Sequence, residues 1–369
     1  MENKITKTDK TLIADSTYKQ LLSEIGQVIA EGRKQVLKAV NTTMLQMYWS
    51  IGRHIVEYEQ NGELRAQYGR SLLSSISKDL TEQYGTGFNR NNLQYMRKLY
   101  LAFPNCTTLS CKLSWSHYIE ILKSDDPLEI SFYIRQCEEE QWSVRALKRQ
   151  MDSMLFQRLA LSKDKEGVLQ LAKEGHVFNK PEDLLHDPYV LEFLQMPEQN
   201  KYKEDELEQK ICENMKDFLL EMGKGFAFIK SQYHIALAGR HFHCDLVFYH
   251  CILKCYVLID LKRGEIQHED IGQMNLYLNY FKHEVCQSDD NPPVGIILGA
   301  KKDEIVMEYA LEGITNNLFA ARYQLYLPKR EDFQAQMDHI LQQEEKENDI
   351  VEGINEGVNE GVNEGINLR

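Results

Sequence analysis

The sequence has no long apolar run, few cysteines and no excess of basic residues. None of its 369 residues belongs to a stretch approaching the ~18 consecutive apolar residues that a transmembrane helix needs. The first residues lack the apolar core of a secretory signal. Eight cysteines are too sparse for a disulfide framework. We therefore expect a cytoplasmic protein with reduced thiols, without a membrane span and with no membrane partner.

The balance of charge is acidic, with a formal net charge of -13. Such a balance argues against a protein whose whole surface coats nucleic acid, but it leaves room for a local basic face or a carboxylate-rich metal site. At roughly 100–200 residues per domain, the length predicts two domains and a tail.

The N-terminal half has apolar residues at helical spacing. Leu73, Ile76 and Leu80, for example, recur at intervals of three and four residues. Few β-branched residues alternate with polar ones in this half. The pattern predicts an all-helical domain over residues 19–175, preceded by a flexible, polar lead-in at residues 1–18.

The pattern changes after a proline-containing connector at residues 176–203. A helix is predicted at 204–223, ended by a glycine. Alternating strands follow at 226–229, 233–237, 242–249 and 255–262. We therefore predict an α/β domain over residues 204–332 with an antiparallel hairpin at its centre, which makes the chain an α+β multidomain protein.

Two further segments follow this domain. Residues 333–350 are predicted to form an exposed polar helix. Residues 351–369 repeat a Glu-Gly-Ile/Val-Asn unit, and a glycine at every fourth position costs about 1 kcal/mol each in a helix. We expect this low-complexity tail to be disordered or weakly helical, with an oligomer contact as the alternative.

The hairpin carries the residues with the clearest chemistry. Asp260 and Lys262 are two residues apart in one predicted strand, so they share a face. A two-residue loop at residues 252–253 would place Asp245 directly opposite Asp260. Two carboxylates and one lysine are therefore expected to converge at the end of this hairpin.

Two facing carboxylates repel each other unless one is protonated or a cation lies between them. Hard oxygen ligands favour Mg²⁺ or Mn²⁺ over zinc. A bound divalent ion can activate water and stabilise a pentacovalent phosphate, with Lys262 beside the reacting groups. Gln273 and Tyr277 are spaced to share a helix face beside the same cleft. Taken alone, the pattern also fits an ordinary solvated sheet edge.

The surrounding sequence resembles a known family of nucleases. The stretches that carry the resemblance are the runs Asp245-Leu246-Val247-Phe248-Tyr249-His250 and Ile259-Asp260-Leu261-Lys262-Arg263-Gly264, with 225–229, 232–233, 272–278, 290–298 and 308–311 around them. In the N-terminal half the matching stretches are 48–53, 68–69, 113–118 and 142–145. Together they resemble the YhcG-type PDDEXK nuclease family and its companion helical domain, over roughly residues 20–330.

The resemblance implies a restriction-endonuclease-like fold with a central mixed sheet. It implies metal ligation by Asp245 and Asp260, with the backbone carbonyl of Leu261, and a catalytic role for Lys262. A further acid on the first helix of the domain corresponds best to Glu208, with Glu206 and Glu213 as alternatives. Gln273 and Tyr277 match a helix that supports the site. In one respect the sequence departs from the family, because Asp260 stands where glutamate is more common.

A zinc site is a competing interpretation of the same region. The residues that suggest it are His241, His243, Cys244, Cys251 and Cys255. Their spacing fits no standard zinc motif. Strict alternation would place Cys244 on the face opposite Asp245, so buried thiols are the expected outcome.

The helical half contains a helix-turn-helix candidate. Residues 71–84 and 89–103 are predicted helices around a glycine-containing turn, and Asn89 is the expected N-cap. The residues expected to face outward and contact DNA are Arg90, Asn91, Asn92, Gln94, Arg97 and Lys98. A second basic helix begins near residue 143 and carries Arg145, Lys148 and Arg149, which are further candidates for DNA contact. Solvated helix faces without a partner are the alternative.

The sequence therefore predicts a Mg²⁺- or Mn²⁺-dependent endonuclease that hydrolyses phosphodiester bonds, with DNA as the expected substrate and a helical domain for targeting. The alternative is a non-catalytic DNA-binding or assembly protein that retains a nuclease-like fold. RNA remains open as a substrate, and a homodimer is compatible with the sequence.

Overall fold

The computed structural model describes residues 7–60, 72–110, 112–161, 163–197, 202–314 and 316–331, with Phe333 and Met337. The repeat tail and most of the predicted polar helix at 333–350 lie outside these residues. Within the described ranges, no helix is both long enough and apolar enough to cross a membrane. The chain divides into two compact units, Met1–Ile130 and Ser131–Arg369. The boundaries predicted near residues 175 and 204 for separate domains remain predictions.

The first unit is helical, as the spacing of its apolar residues predicts. Its helices are α1 (Lys7–Gln60), α2 (Leu72–Tyr84), α3 (Arg90–Ala102) and α4 (Trp115–Ile121), with a short 3₁₀ turn at Cys106–Thr108. Helix α1 begins inside the segment predicted as a lead-in. Asn89 caps α3 as expected, because its side chain accepts a hydrogen bond from the backbone N–H of Asn92.

The core of this unit lies where α1 crosses α3. Tyr48 and Ile55 of α1 pack with Leu93 and Met96 of α3. Gly52 makes the close approach possible, since a Cβ there would lie 1.9 Å from the carbonyl oxygen of Met96. A larger residue at this position would separate the two helices.

The second unit begins with short helices and continues with a six-stranded sheet. Helix α5 (Pro127–Glu140) spans the division between the units. The remaining helices are α6 (Val144–Asp152), α7 (Leu155–Ala160), α8 (Lys165–Glu174), α9 (Glu204–Glu213), α10 (Met215–Met222), α11 (His268–Tyr280) and α12 (Glu304–Leu311). Short 3₁₀ turns lie at Pro181–Leu184 and Glu192–Leu194, and a π-helical turn at Phe281–Val285 continues α11.

The sheet is mixed, and the predicted hairpin lies within it. Its strands are β1 (Tyr189–Val190), β2 (Phe226–Leu237), β3 (Arg240–His250), β4 (Cys255–Glu265), β5 (Val294–Lys301) and β6 (Asn317–Gln324). The spatial order is β1-β6-β5-β4-β3-β2. Strands β1, β6, β5 and β4 run parallel, and β3 and β2 add antiparallel pairs. The expected α/β architecture is confirmed.

Each face of the sheet is covered by a hydrophobic cluster. One cluster contains Ile259 and Leu261 of β4 with Leu207 of α9. The other contains Leu258 of β4 with Met274 of α11. Consecutive residues of β4 therefore alternate between a face that packs on α9 and a face that packs on α11.

Two predicted elements differ from the observed ones. The single helix predicted at 204–223 is two helices, α9 and α10, because Asn214 leaves helical geometry and its side chain bonds the carbonyl oxygen of Lys210. The two strands predicted on either side of residue 230 form one strand, β2, with a bulge between Phe228 and Lys230.

A buried ion pair fastens the short helices to the rest of the second unit. The Arg158 guanidinium donates to the Glu221 carboxylate at 2.6 Å, and both side chains are fully buried. Glu221 also accepts from the backbone N–H of Val190 at 2.8 Å and lies 3.3 Å from Arg149. This network ties α6 and α7 to α10 and β1.

We expect Glu221→Ala to destabilise the protein by about 3–5 kcal/mol, because it leaves Arg158 charged and unpaired in the interior. The control is Glu213→Ala, which removes the exposed partner of Lys210 and should leave the stability nearly unchanged. Urea unfolding followed by circular dichroism measures both changes. Equal losses in the two variants would contradict the assignment.

Candidate active site

Strands β3 and β4 carry the three residues with the clearest predicted chemistry. Their pairing runs from Leu246 opposite Ile259 to His250 opposite Cys255. The turn between them has four residues, 251–254, rather than the two predicted, but its centre is the same, so the predicted register is confirmed. Continued by one position, this register places Asp245 level with Asp260.

Asp260 is a buried carboxylate without a full set of partners. Its side chain is 3% exposed on the α11 face of the sheet. Its Oδ2 atom lies 2.7 Å from Lys262 Nζ, and no other polar group among the described residues bonds it. Burial raises the pKa of Asp260 to about 7, and repulsion from Asp245 adds to the rise. The ionised carboxylate is therefore held at a cost in this position.

Asp245 lies where β3 separates from β4. Its Oδ2 accepts a hydrogen bond of 2.7 Å from the backbone N–H of Leu261, and its Oδ1 accepts one of 3.1 Å from the Gln232 side chain. Burial raises the pKa of Asp245, and the neighbouring Glu208 carboxylate raises it further. One backbone donor and one side-chain amide donor thus orient the Asp245 carboxylate, which is half-buried beside Asp260.

Gln232 is a residue of the site that the sequence analysis missed. It stands at the irregular centre of β2 with a φ of +47°, which is the left-handed region that non-glycine residues rarely adopt. Its amide donates to Glu208 at 2.5 Å as well as to Asp245. Gln232 therefore links the helix carboxylate to the strand carboxylate. A glutamine inside a strand is no signal by itself, since only the fold places it between two acids.

Among the three candidate helix acids, only Glu208 lies toward the strand carboxylates. Burial raises the pKa of Glu208, and the hydrogen bond from Gln232 partly offsets this rise. Glu206 faces solvent and accepts from the backbone N–H of Lys203. Glu213 is also exposed and pairs with Lys210 at 3.0 Å. The geometry favours Glu208 as the third acid.

Lys262 lies between two carboxylates. Its ammonium is 2.7 Å from Asp260 and 3.7 Å from Asp270 at the start of α11. Burial lowers the pKa of Lys262, but the two carboxylates raise it more, so it stays above the usual value. The lysine is therefore a fixed positive charge at neutral pH. Asp270 was not singled out in the sequence, because it also serves as an ordinary capping acid for α11.

Gln273 and Tyr277 lie on α11 as their spacing predicts. Tyr277 is fully buried and donates to the carbonyl oxygen of His243 at 3.0 Å. The Gln273 amide contacts the Tyr277 hydroxyl. Burial raises the pKa of Tyr277 to about 12. Tyr277 thus holds α11 against β3, and Gln273 is oriented by it.

The residues of the competing zinc interpretation are dispersed. Cys244 is buried in the cluster under α11, whereas Leu246 lies on the opposite face, so the alternation assumed from the sequence is broken between them. His241 and His243 are exposed, Cys251 lies in the turn and Cys255 is in the other cluster. In the described part of the chain, no three His, Cys, Asp or Glu side chains converge closely enough to hold a metal alone.

The donor set nevertheless suits a hard divalent cation. Asp245 and Asp260 offer carboxylate oxygens on adjacent strands, and among the described residues the buried Asp260 Oδ2 has only the Lys262 ammonium as a polar neighbour. Mg²⁺ usually takes one or two protein carboxylates and completes its shell with waters and substrate phosphates. A site with two strand carboxylates and a nearby Glu208 therefore fits the ion, even though it is no closed protein cage.

The predicted DNA-contacting residues of α3 separate into two groups. Arg90, Asn91 and Gln94 are exposed. The Asn92 amide donates to the carbonyl oxygen of Gly87. Arg97 pairs with Glu59 at 2.7 Å and Lys98 pairs with Asp125 at 2.8 Å, so both cations already have acidic partners.

The second basic helix, α6, also separates into exposed and interior residues. Arg145 and Lys148 are exposed. Arg149, which was predicted to face outward, instead bonds Glu192 at 3.0 Å and reaches the buried Glu221. Its guanidinium is occupied by the ion network of the second unit and is not available to a phosphate.

Comparisons with known proteins identify relatives of both parts of the chain. The family model of the YhcG PDDEXK nuclease domain matches residues 182–338. The family model of the DUF1016 N-terminal domain matches residues 24–158. The protein named "Putative nuclease YhcG" of Escherichia coli (strain K12) is 35% identical over 343 residues, which are 84% of this chain and 91% of that protein.

Two solved structures align with a smaller part of the chain. One is a repair endonuclease from Pyrococcus abyssi, with 23% identity and a TM-score of 0.26 over 36% of this chain and 50% of that chain. The other is EndoMS in apo form, with 16% identity and a TM-score of 0.24 over 36% of this chain and 49% of that chain.

We expect Asp260→Asn to stabilise the metal-free protein by about 1–2 kcal/mol, because it removes a buried charge that repels Asp245 while Lys262 keeps Asp270 as a partner. Thermal unfolding in EDTA measures the change. Asp79→Asn, at an exposed position of α2, is the control and should alter stability by less than about 0.5 kcal/mol. A loss of stability in Asp260→Asn would show that the attraction between Asp260 and Lys262 outweighs the cost of burial and the repulsion from Asp245.

Proposed function

The chain belongs to the YhcG family of PDDEXK nucleases, and on that premise we propose that it is a metal-dependent nuclease that hydrolyses phosphodiester bonds in DNA. One observation carries the proposal. The buried Asp260 carboxylate lies beside Asp245 and within 2.7 Å of the Lys262 ammonium. Few structural roles require two acids and a lysine to be placed together where burial destabilises their charged forms.

Asp245 and Asp260 would hold a Mg²⁺ or Mn²⁺ ion, with the backbone carbonyl of Leu261 and with Glu208 as further donors. When bound, the ion would supply positive charge that lowers the pKa of a water and offsets the charge on the phosphate. Asp245 is already oriented for this role by hydrogen bonds from Leu261 and Gln232. Glu208 is oriented by the same glutamine.

Lys262 would act on the phosphate and the attacking water. Its ammonium is charged and fixed between Asp260 and Asp270. It can therefore hold the attacking water by a hydrogen bond and stabilise the negative charge that develops as the water oxygen bonds to phosphorus. Because Asp260 and Asp270 keep its pKa high, we assign it electrostatic stabilisation and water positioning rather than proton abstraction.

Gln273 and Tyr277 are positioning residues in this proposal. The bond from Tyr277 to His243 fixes the distance between α11 and β3. Helix α11 carries Asp270, which in turn contacts Lys262. A change at Tyr277 would therefore reach the lysine through the helix.

The helical part of the chain would target the nuclease to DNA. Arg90, Asn91 and Gln94 are exposed at the start of α3, where cationic and amide side chains can contact phosphates and base edges. Arg145 and Lys148 are exposed on α6. In a chain with a net charge of -13, such local basic surfaces are where nucleic acid is expected to bind.

We expect the purified protein to nick or cut plasmid DNA with Mg²⁺ or Mn²⁺ and to lose this activity in EDTA. Asp260→Ala and Lys262→Ala should each lower the cleavage rate by at least about a hundredfold, because each removes a charge that acts on the phosphate. Calorimetric titration with Mn²⁺ separates the two roles. Asp260→Ala should lose the ion, whereas Lys262→Ala should still bind it.

The matched controls are Asp79→Ala and Lys78→Ala, which change the same residue types at exposed positions of α2. Both should cut at the wild-type rate. Cleavage that survives in Asp260→Ala would point to a contaminating nuclease. A wild-type protein that binds DNA without cutting would favour the non-catalytic alternative, and preferential cleavage of an RNA of the same sequence would change the substrate.

We expect Arg90→Ala to weaken DNA binding and to lower the slope of log affinity against log salt by about 1, because one phosphate contact is lost. Arg97→Ala is the matched control on the same helix. Its guanidinium is paired with Glu59, so its loss should change the slope little. Fluorescence anisotropy at several salt concentrations measures both. Equal effects of the two variants would remove α3 from the DNA-contacting surface.

A further inference from the structure

Helix α1 carries an apolar stripe that the described chain leaves uncovered. Every residue from 18 to 40 is exposed. Eleven large apolar side chains are exposed between residues 18 and 47: Tyr18, Leu21, Leu22, Ile25, Val28, Ile29, Val36, Leu37, Val40, Met44 and Met47. They account for 11 of the 25 exposed large hydrophobic residues that the structure describes. Spacings of three, four and seven residues place them along one side of the helix.

The polar residues of the same segment are bonded along the helix itself. Gln20 donates to Glu24, and Gln35 donates to Glu31, each four residues away. The side chains of the apolar stripe cannot form hydrogen bonds of this kind, and only their removal from water would lower the free energy. The two sides of α1 therefore differ in what they require from a neighbour.

This segment is poorly suited to persist as a lone helix. Gly26 and Gly32 each cost about 1 kcal/mol relative to alanine in a helix. In proteins, packing of an apolar face supplies more of a helix's stability than the helix propensity of its residues does. Gly32 lies within the stripe, and a Cβ there would meet nothing within 4 Å. The glycine thus leaves room for close approach of another helix.

The stripe is nearly symmetric about the bond between Gly32 and Arg33. Residues at equal distances before and after that bond are both large and apolar in five pairs: 18 and 47, 21 and 44, 25 and 40, 28 and 37, 29 and 36. Leu22 is the exception, since it corresponds to Thr43. A second copy of the helix, running antiparallel about a two-fold axis at this point, would lay each apolar residue against another.

The exposed area is also sufficient for a stable pair. Eleven side chains that each expose on the order of 100 Å² offer roughly 1,000 Å² per helix, compared with about 800 Å² per partner in a standard interface. We propose that residues 18–47 of α1 form an antiparallel homodimer interface, with the two-fold axis near Gly32 and Arg33. This interface is independent of the nuclease chemistry.

Sedimentation of the full-length protein tests the dimer. The wild type should have about twice the mass of the 43.1 kDa chain at micromolar concentration. Ile29→Glu should raise the dissociation constant at least about a hundredfold, since it places a charge at the centre of the stripe. Gln27→Glu introduces the same charge on the polar side and should leave the dimer intact. A monomeric wild type, or an equal effect of the two variants, would overturn the proposal.

Cysteine cross-linking tests the orientation. Arg33→Cys places a thiol near the proposed axis and should give covalent dimers above the wild-type background from exposed Cys251. Ile25→Cys should not, because the two copies of residue 25 would be about 20 Å apart in the antiparallel pair. Strong cross-linking through Ile25→Cys would mean parallel helices and would contradict the two-fold arrangement. Far-UV circular dichroism checks that each variant stays folded.

Discussion

The repulsion between Asp245 and Asp260 is the constraint on which the site depends. The β3–β4 register brings the two carboxylates level, and burial of Asp260 removes the water that would screen them. Neighbouring groups partly offset the charge on both carboxylates. Lys262 supplies a positive charge beside Asp260, and the N–H groups of Leu261 and Gln232 bond Asp245. In the proposed function, a divalent cation would offset the charge that the protein alone offsets only in part.

The two faces of strand β4 contact different helices, and both helices contribute to the position of these charged groups. Residues 259 and 261 of β4 pack beneath α9, which brings Glu208 toward the strands. Asp260 and Lys262 point to the other face, where α11 presents Asp270 and is anchored by Tyr277. The alternation of a single strand thus links two helices to one cluster of charges. The buried Glu221 network fixes the short helices of the same unit by a similar use of paired charges.

Helix α1 presents a different physical problem, because it exposes apolar rather than charged groups. The negative net charge favours solubility of the chain, but it does not reduce the free-energy cost of exposing a stripe of valine, leucine and isoleucine to water. Pairing of two copies would bury the stripe and stabilise the glycine-containing helix together. A dimer would also carry two copies of the candidate active site.

The sequence by itself determined what depends on short-range geometry. Alternation along the strands and the position of one turn were enough to predict the register that sets Asp245 beside Asp260, and a capping asparagine was enough to predict the start of α3. Only the tertiary structure decided which distant groups meet them. The choice of Glu208, the bridging role of Gln232 and the interior position of Arg149 all depend on packing between segments far apart in the chain. Local periodicity reports which face of an element is apolar, but it carries no information about the polar neighbour that another element brings to it.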